Sequence, residues 1–149
     1  MHERCTPETI RSRYFGPLPR LSDAVMRMFT NPERGVTLVT HPEGEPEKII
    51  AMTNLMDLEP GEAEVALLVE DGWQGLGLGR VLMRYALALA PSRRARVITA
   101  SVYASNNRML SILKSAGAEK PSMTGLILDV RLPLSSSGVS VERSDAPCR

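Results

Sequence analysis

Cysteine, net charge and long apolar runs are all scarce in this chain of 149 residues. Its two cysteines, Cys5 and Cys148, lie near opposite ends and no Cys/His group has metal-ligand spacing, so we expect free thiols, no bound metal and a cytoplasmic location. The 18 Lys and Arg side chains nearly balance the 17 Asp and Glu, which argues against nucleic acid or an anionic membrane as a partner. No stretch approaches the roughly 18 apolar residues of a transmembrane helix, and the start, MHERCTPETI, lacks the apolar segment of a secretory signal.

The hydrophobic content of 43% is enough for one globular domain with its own core. We assign residues 1–134 to that domain. The remaining segment, SSSGVSVERSDAPCR at residues 135–149, is poor in large apolar side chains, and we predict a disordered tail.

Hydrophobic periodicity predicts strands and helices that share one core. A short strand is expected near residues 10–15, followed by a helix that Ser22 and Asp23 open. The later strand candidates are VTLVTH, KIIAMTNLMDL, AEVALLV, RVITASVYA and LILDVRLPL. One helix begins in a glycine-rich loop after the third of these strands. Tyr85 lies on the apolar stripe of this helix, so we expect its side chain in the core. The segment NNRMLSILKSAG predicts another helix. The fold class is therefore α/β.

The glycine-rich loop, DGWQGLGLGR, carries glycines at three alternate positions, Gly75, Gly77 and Gly79. A dinucleotide loop needs G-x-G-x-x-G, but the third position of that pattern is Arg80 or Leu82, depending on the register. An ATP loop needs Lys and then Ser or Thr after its last glycine, where this chain has Arg and Val. Both nucleotide patterns are excluded.

The pattern that remains is Q-x-x-G-x-G between a buried strand and a helix. Glycines let the backbone approach a pyrophosphate, and the N–H groups at a helix start point toward its oxygens. A tight turn without a ligand would use the same residue types. The hexad resembles the acyl-CoA loop of the GNAT family, the Gcn5-related N-acetyltransferases. That resemblance implies a coenzyme A site made of Gln74, Gly75, Leu76, Gly77, Leu78, Gly79 and Arg80.

A second family motif follows the next strand, where Asn106 precedes Met109 and Leu110, and Gly117 ends the segment. The residue types alone predict a helix with an asparagine N-cap, an apolar stripe and a glycine terminator. Two motifs in this order resemble GNAT enzymes more closely than one. The resemblance implies that Asn106 reaches the pantetheine arm. The role of Asn106 as the helix N-cap also stays open.

The strand before the loop, EAEVALLVED, places Glu64, Ala66 and Leu68 on one face by alternation. The resemblance implies that backbone groups near Leu68 and Val69 hold the pantetheine and that Glu64 is the general base. A base is needed because an amine of reference pKa about 10.4 is protonated near neutrality, and only the free amine attacks. A solvated strand end or an ion pair would explain Glu64 equally well from the residues alone.

The segment PETIRSRYFGPLPRLSD resembles the opening of the acetyltransferase domain in bacterial protein lysine acetyltransferases of the Pat type, which acetylate acyl-CoA synthetases. This resemblance implies transfer of acetyl from acetyl-CoA to a primary amine, a protein lysine, by direct attack. It also implies a mostly antiparallel mixed sheet with two neighbouring strands splayed at the loop and flanked by helices.

The chain departs from the family patterns at several points, two of which are single residues. Ala118 replaces a common aromatic residue, and Leu113 replaces the tyrosine that protonates the departing thiolate in other GNAT enzymes. A small-molecule amine acetyltransferase and an inert acyl-CoA-binding sensor therefore stay open as alternatives, as does a homodimer.

Overall fold

The computed structural model describes residues 1–17 and 22–134. The predicted disordered tail, residues 135–149, lies outside the described residues. The described residues form four α-helices: α1 (Pro7–Tyr14), α2 (Asp23–Thr30), α3 (Leu78–Leu89) and α4 (Asn107–Ser115). They also form six strands: β1 (Gly35–Thr40), β2 (Ala51–Asp57), β3 (Glu62–Val69), β4 (Val97–Tyr103), β5 (Ser122–Thr124) and β6 (Ile127–Pro133).

The strands form one sheet in the order β1-β2-β3-β4-β6-β5. Every neighbouring pair is antiparallel except β3 and β4, which run parallel at the centre. Their pairing covers only Glu62 to Glu64 on β3 against Val97 to Thr99 on β4, so the two strands separate over the rest of their length. The mixed, mostly antiparallel sheet with splayed central strands is the predicted fold.

Helices cover both faces of this sheet. On one face, α3 and α4 bury the main apolar core, whose members include Leu55, Val65, Met83, Ala86, Ile98, Val102, Leu113 and Leu132. On the other face lie α1 and α2, where polar groups join helix to sheet. The Asn54 amide donates to the Thr37 hydroxyl over 2.8 Å, and that hydroxyl donates to the Phe29 carbonyl of α2.

The segment predicted as a strand near residues 10–15 is a helix, and that prediction was wrong. Thr6 is the N-cap of α1, where its hydroxyl accepts from the Thr9 N–H over 3.3 Å, and Pro7 occupies the first turn, where its missing N–H costs nothing. The helix ends at Phe15, whose φ of 57° turns the chain out of the helical path. A threonine followed by proline was the signal for this helix start.

Other local predictions met mixed outcomes. Ser22 caps α2 through the Val25 N–H, and Asn106 caps α4 through the Met109 N–H, as predicted. Tyr85 is 60% exposed, so its predicted place in the core was wrong, and Ala86 beside it faces the sheet instead. Strand β5 was not predicted, because three exposed residues carry no readable alternation. Within residues 1–17 and 22–134, no helix has the length and apolar character needed to cross a membrane.

Candidate active site

A groove of about 1010 Å³ runs through the gap between β3 and β4 and continues to helix α1. Its walls come from the glycine-rich loop, from the start of α4 and from α1. Most of the site residues predicted from the sequence line it, namely Glu64, Leu68, Val69, Gln74, Gly75, Gly77, Gly79, Arg80 and Asn106. Leu76 and Leu78 belong to the same loop but do not line the groove, and Leu76 is 71% exposed.

The glycine-rich loop presents a run of free backbone donors. None of the five consecutive N–H groups from Gly75 to Gly79 donates a hydrogen bond to an atom of the described residues. The next two, of Arg80 and Val81, are already bonded to the Gly77 carbonyl. Unpaired N–H groups at the positive end of a helix form a concave site for an anion such as a pyrophosphate.

Two glycines in the loop have different structural roles. Gly77 is the N-cap of α3 with φ of 87°, a conformation that residues with a Cβ rarely adopt. A Cβ on Gly77 would meet no atom within 4 Å, so the space in front of it is open. A Cβ on Gly79 would lie 2.8 Å from the Ile112 Cδ1, so Gly79 permits close packing of α3 against α4.

Gln74 fastens the loop to three parts of the fold. Its Nε2 donates to the Val69 carbonyl over 2.9 Å and to the Thr9 hydroxyl over 3.1 Å, and its Oε1 accepts from the Arg108 guanidinium. All polar atoms of the side chain are thereby used. Gln74 consequently fixes the loop relative to β3, α1 and α4, while the free donors are those of the backbone.

The register of β3 decides which backbone groups face the gap. The Glu70 N–H donates to the Ile50 carbonyl toward β2, and hydrogen bonding alternates along an antiparallel strand. The backbone of Leu68 therefore bonds β2, whereas the N–H and carbonyl of Leu67 and the N–H of Val69 point into the gap. The side chain of Leu68 is 2% exposed. Leu67 was missed from the sequence, because only the register identifies it.

Glu64 is the last residue of β3 that pairs with β4, opposite Thr99, so its side chain lies where the groove begins to open. Among the described residues no side chain forms a hydrogen bond or an ion pair with its carboxylate. Three neighbouring acids are engaged: Glu62 pairs with Arg131 at 2.6 Å, Glu70 pairs with Arg4 at 3.0 Å, and Asp71 accepts three hydrogen bonds.

Asp71, which follows Glu70 in the chain, ties α1 to the glycine-rich loop. Its carboxylate accepts from the Thr6 N–H over 2.8 Å, from the Thr6 hydroxyl over 3.0 Å and from the Thr9 hydroxyl over 2.9 Å. Burial acts to raise the pKa of Asp71, but these hydrogen bonds to the charged form outweigh it and hold the pKa below its ordinary value. Thr9 and Asp71 were not predicted as site residues, because they are about 60 positions apart.

A partly buried cation, Arg13, lines the part of the groove formed by α1. Its Nη2 donates to the Asn54 Oδ1 over 2.6 Å, and its guanidinium lies 4.8 Å from the centre of the Tyr14 ring. Burial lowers the pKa of Arg13, against the opposing influence of Tyr14 and Glu64. Arg13 was not predicted as a site residue either, since nothing in the segment SRYF links it to β2.

The cap residue Asn106 is placed for both of the roles left open. Its Oδ1 accepts from the Met109 N–H over 3.1 Å, and the residue also lines the groove. Leu113, at the position where other GNAT enzymes carry a tyrosine, is 1% exposed in the core and offers no proton.

In this fold the two central parallel strands separate beside a helix that begins in a glycine-rich loop. This is the architecture of acyl-CoA-dependent N-acyltransferases. The profile of the Acetyltransferase (GNAT) family matches residues 6–118, and the chain belongs to that family. It is 30% identical to the GNAT domain of S. lividans PAT, with a TM-score of 0.78 over 89% of this chain and 81% of that one.

Two further proteins are similar to this chain, one in sequence and one in fold. An acetyltransferase of Pseudomonas aeruginosa is 27% identical over 118 residues, which are 76% of this chain and 63% of that protein. The chain thus spans less than two thirds of that relative. PseH of Campylobacter jejuni, solved in complex with acetyl coenzyme A, shares the fold at 17% identity and a TM-score of 0.62, over 75% of this chain and 77% of that one.

Proposed function

We propose that this protein is an N-acetyltransferase that binds acetyl-CoA in the groove and transfers the acetyl group to a primary amine. The observation that carries the proposal is that one groove joins the five N–H groups of the loop to the Glu64 carboxylate, all of which lack a hydrogen-bond partner among the described side chains and backbone groups. The loop receives the pyrophosphate, and Leu67, Val69 and Asn106 offer hydrogen-bonding groups along the gap to the pantetheine arm. The thioester then lies at the narrow end of the gap.

Glu64 acts as the general base. The acceptor enters as an ammonium ion, gives one proton to Glu64 directly or through a water molecule, and attacks the thioester carbonyl as the free amine. The nitrogen–carbon bond forms, the carbon–sulfur bond breaks and the coenzyme A thiolate leaves. The second proton, which the amine nitrogen loses as the amide forms, passes through solvent to that thiolate. The thiolate departs without a general acid at Leu113, because a thiolate is a stable enough anion to leave unassisted.

The acceptor that we propose is a protein lysine. This choice is supported by the likeness to the GNAT domain of S. lividans PAT over 89% of the chain and by the Pat-like segment that includes α1. Helix α1 forms the wall of the groove beyond Glu64, where an acceptor would enter. An acyl-CoA synthetase lysine is accordingly the first substrate to test.

A turnover assay with acetyl-CoA tests these proposals together. Release of free thiol is followed with lysine peptides, an acyl-CoA synthetase and a panel of small amines, and acetylated sites are located by mass spectrometry. We expect turnover with lysine acceptors. Turnover with small amines alone would replace the protein acceptor with a metabolite, and binding of acetyl-CoA without turnover of any amine would make the protein a sensor.

A further inference from the structure

At the end of the groove where we place the acceptor, which is called the acceptor end below, two opposite charges are not paired with each other. Arg13 on α1 and Glu64 on β3 both line this end, yet they form no ion pair. Each is also without an oppositely charged partner among the described residues. The region therefore offers a cation and an anion that stand apart across one open space.

The contacts of Arg13 leave part of its guanidinium unused. Only Nη2 has a partner, the neutral side-chain amide of Asn54, which is 1% exposed. The Nε atom is buried without a hydrogen bond. The Nη1 atom has no partner among the described residues either, but it is not cut off from solvent as Nε is.

Aromatic rings supply some compensation for the partly buried charge. The guanidinium lies 4.8 Å from the centre of the Tyr14 ring and 5.8 Å from that of Phe29. Such contacts stabilise a cation weakly compared with a carboxylate that accepts two parallel hydrogen bonds from the guanidinium. Partial burial of a cation without an anion carries a free-energy cost, and a carboxylate is the best geometric match for a guanidinium.

The other charged groups that line the groove do not meet this need. Asp71 is engaged by Thr6 and Thr9, and Arg80 and Arg108 lie at the coenzyme end of the groove. Glu8 is on the first turn of α1, more than one turn away from Arg13 along the helix. No other charged group among the described residues supplies the missing anion, which leaves a bound molecule to supply it.

We infer that the acceptor is an amine that carries a carboxylate close to the amine, with the ammonium group at Glu64 and the carboxylate at Arg13. This inference rests on the proposed acetyl transfer and names its substrate class. An acceptor of this kind satisfies both charges at once and adds no net charge to the site. A purely basic acceptor would leave Arg13 unpaired and would bring a second cation near it.

The carboxylate has two sources, which the test separates. One is an acidic side chain next to a target lysine, and the other is the carboxylate of a free amino acid. The first pair of substrates is two lysine peptides that differ only in Glu or Gln beside the lysine. The second pair is a free amino acid and the amine that remains when its carboxylate is removed.

Steady-state rates are measured with the wild-type chain, Arg13→Gln, Arg13→Lys and the control Arg11→Gln, an exposed arginine on the same helix. The wild type should favour the carboxylate-bearing member of one pair by roughly tenfold or more in kcat/KM, through KM. Arg13→Gln should abolish that preference, Arg13→Lys should keep part of it, and Arg11→Gln should retain it fully. A merely structural Arg13 would lower all rates without changing the preference.

The wild-type comparison does not depend on whether a variant folds. Equal kcat/KM for both members of both pairs would overturn the inference while leaving acetyl transfer intact. A preference that survives in folded Arg13→Gln would also overturn it. Failure to acetylate any of the four acceptors would overturn the proposed function, and the inference with it.

Discussion

The groove has two halves that are built in different ways. The coenzyme half is made of two short continuous segments, the loop at residues 74–80 and the helix start at residues 106–109. The acceptor half is assembled from residues far apart in the chain, since Arg13 meets Asn54 and faces Glu64 across some 40 to 50 positions. The first half depends on backbone groups, and the second depends on side chains.

This difference bears on function as well as on construction. Backbone N–H groups recognise any ligand with the right phosphate geometry, so the coenzyme half suits one cofactor shared by many enzymes. Side chains held by long-range contacts can change without disturbing the loop, and for this reason we propose that they set the choice of acceptor. A substitution in either half should consequently affect one binding function and spare the other.

The largest effect is expected from Glu64→Gln, which alters the acceptor half alone. The change keeps the size of the side chain but removes the proton acceptor, so kcat should fall by roughly 10² to 10⁴ while the Kd for acetyl-CoA stays the same. The variant should also lose the rise of rate with pH that a general base produces. Rates are measured across pH, and binding is measured by calorimetry.

The matched control is Glu62→Gln, two residues earlier on the same strand, where the carboxylate is paired with Arg131. It should change kcat by a few-fold at most. Full turnover of Glu64→Gln with an unchanged pH profile would assign the proton to another acceptor, such as a water chain.

Gly77→Val should break the coenzyme half. The side chain would occupy the space that the pyrophosphate needs, and valine disfavours the positive φ found there. At a hundredfold excess of acetyl-CoA over its Kd, the wild type should gain about 2.7 kcal/mol of stability, and the variant should gain almost none. The melting temperature with and without acetyl-CoA measures this gain.

Gly44→Val provides a control for backbone strain alone. Gly44 has φ of 78°, an added Cβ there meets no atom within 4 Å, and it does not line the groove. This variant should be destabilised yet keep the full gain from acetyl-CoA. An undiminished gain in Gly77→Val would remove the coenzyme assignment from the loop.

Asp71→Asn tests the link between the two halves. Because the folded-state pKa of Asp71 lies below its unfolded value, its charge stabilises the fold at neutral pH, and this stabilisation is lost as the pH falls through the folded pKa. The variant should lose about 1 kcal/mol of unfolding free energy at pH 7 and much less near pH 3. Urea unfolding at both values measures the difference.

The comparison variant for this link is Asp23→Asn, in the first turn of α2, where the carboxylate has no side-chain hydrogen bond among the described residues. Its unfolding free energy should change less at pH 7. A loss in Asp71→Asn that is equal at both pH values would show that the charge does not contribute.

The smallest effect is expected from removing residues 135–149, which should alter neither half. The composition of this segment predicts no contribution to a core, so the melting temperature and the gain from acetyl-CoA should both stay close to those of the full chain. A substantial drop in melting temperature would mean that the segment packs against the domain.

Sequence reasoning reached the coenzyme half because its information is local. Gln74, Gly77 and Asn106 could be placed from spacing and from their resemblance to a family, and the splayed sheet followed from that resemblance. The strand predicted at residues 10–15 was wrong because a short apolar run fits either period, and the Thr6 cap and Pro7 were given too little weight.

The acceptor half lay beyond that reasoning. Arg13 is distinguished only by its long-range contact with Asn54. The part of the groove proposed for the pantetheine arm shows the same limit, because only hydrogen-bond register distinguishes Leu67 from Leu68. Tyr85 shows a related limit, since a position near the edge of an apolar stripe can face solvent when the neighbouring Ala86 faces the sheet.

The separation of β3 from β4 gives β3 the character of an edge strand in the middle of a sheet. Edge strands expose unpaired backbone groups that can recruit strands from other molecules, and proteins blunt them with charges, bulges or covering elements. At Leu67 the open edge lies at the bottom of the groove, between the wall formed by α3 and α4 and the wall formed by α1. We expect these walls to cover the open edge against a β-strand of another protein while the groove stays accessible to an extended ligand.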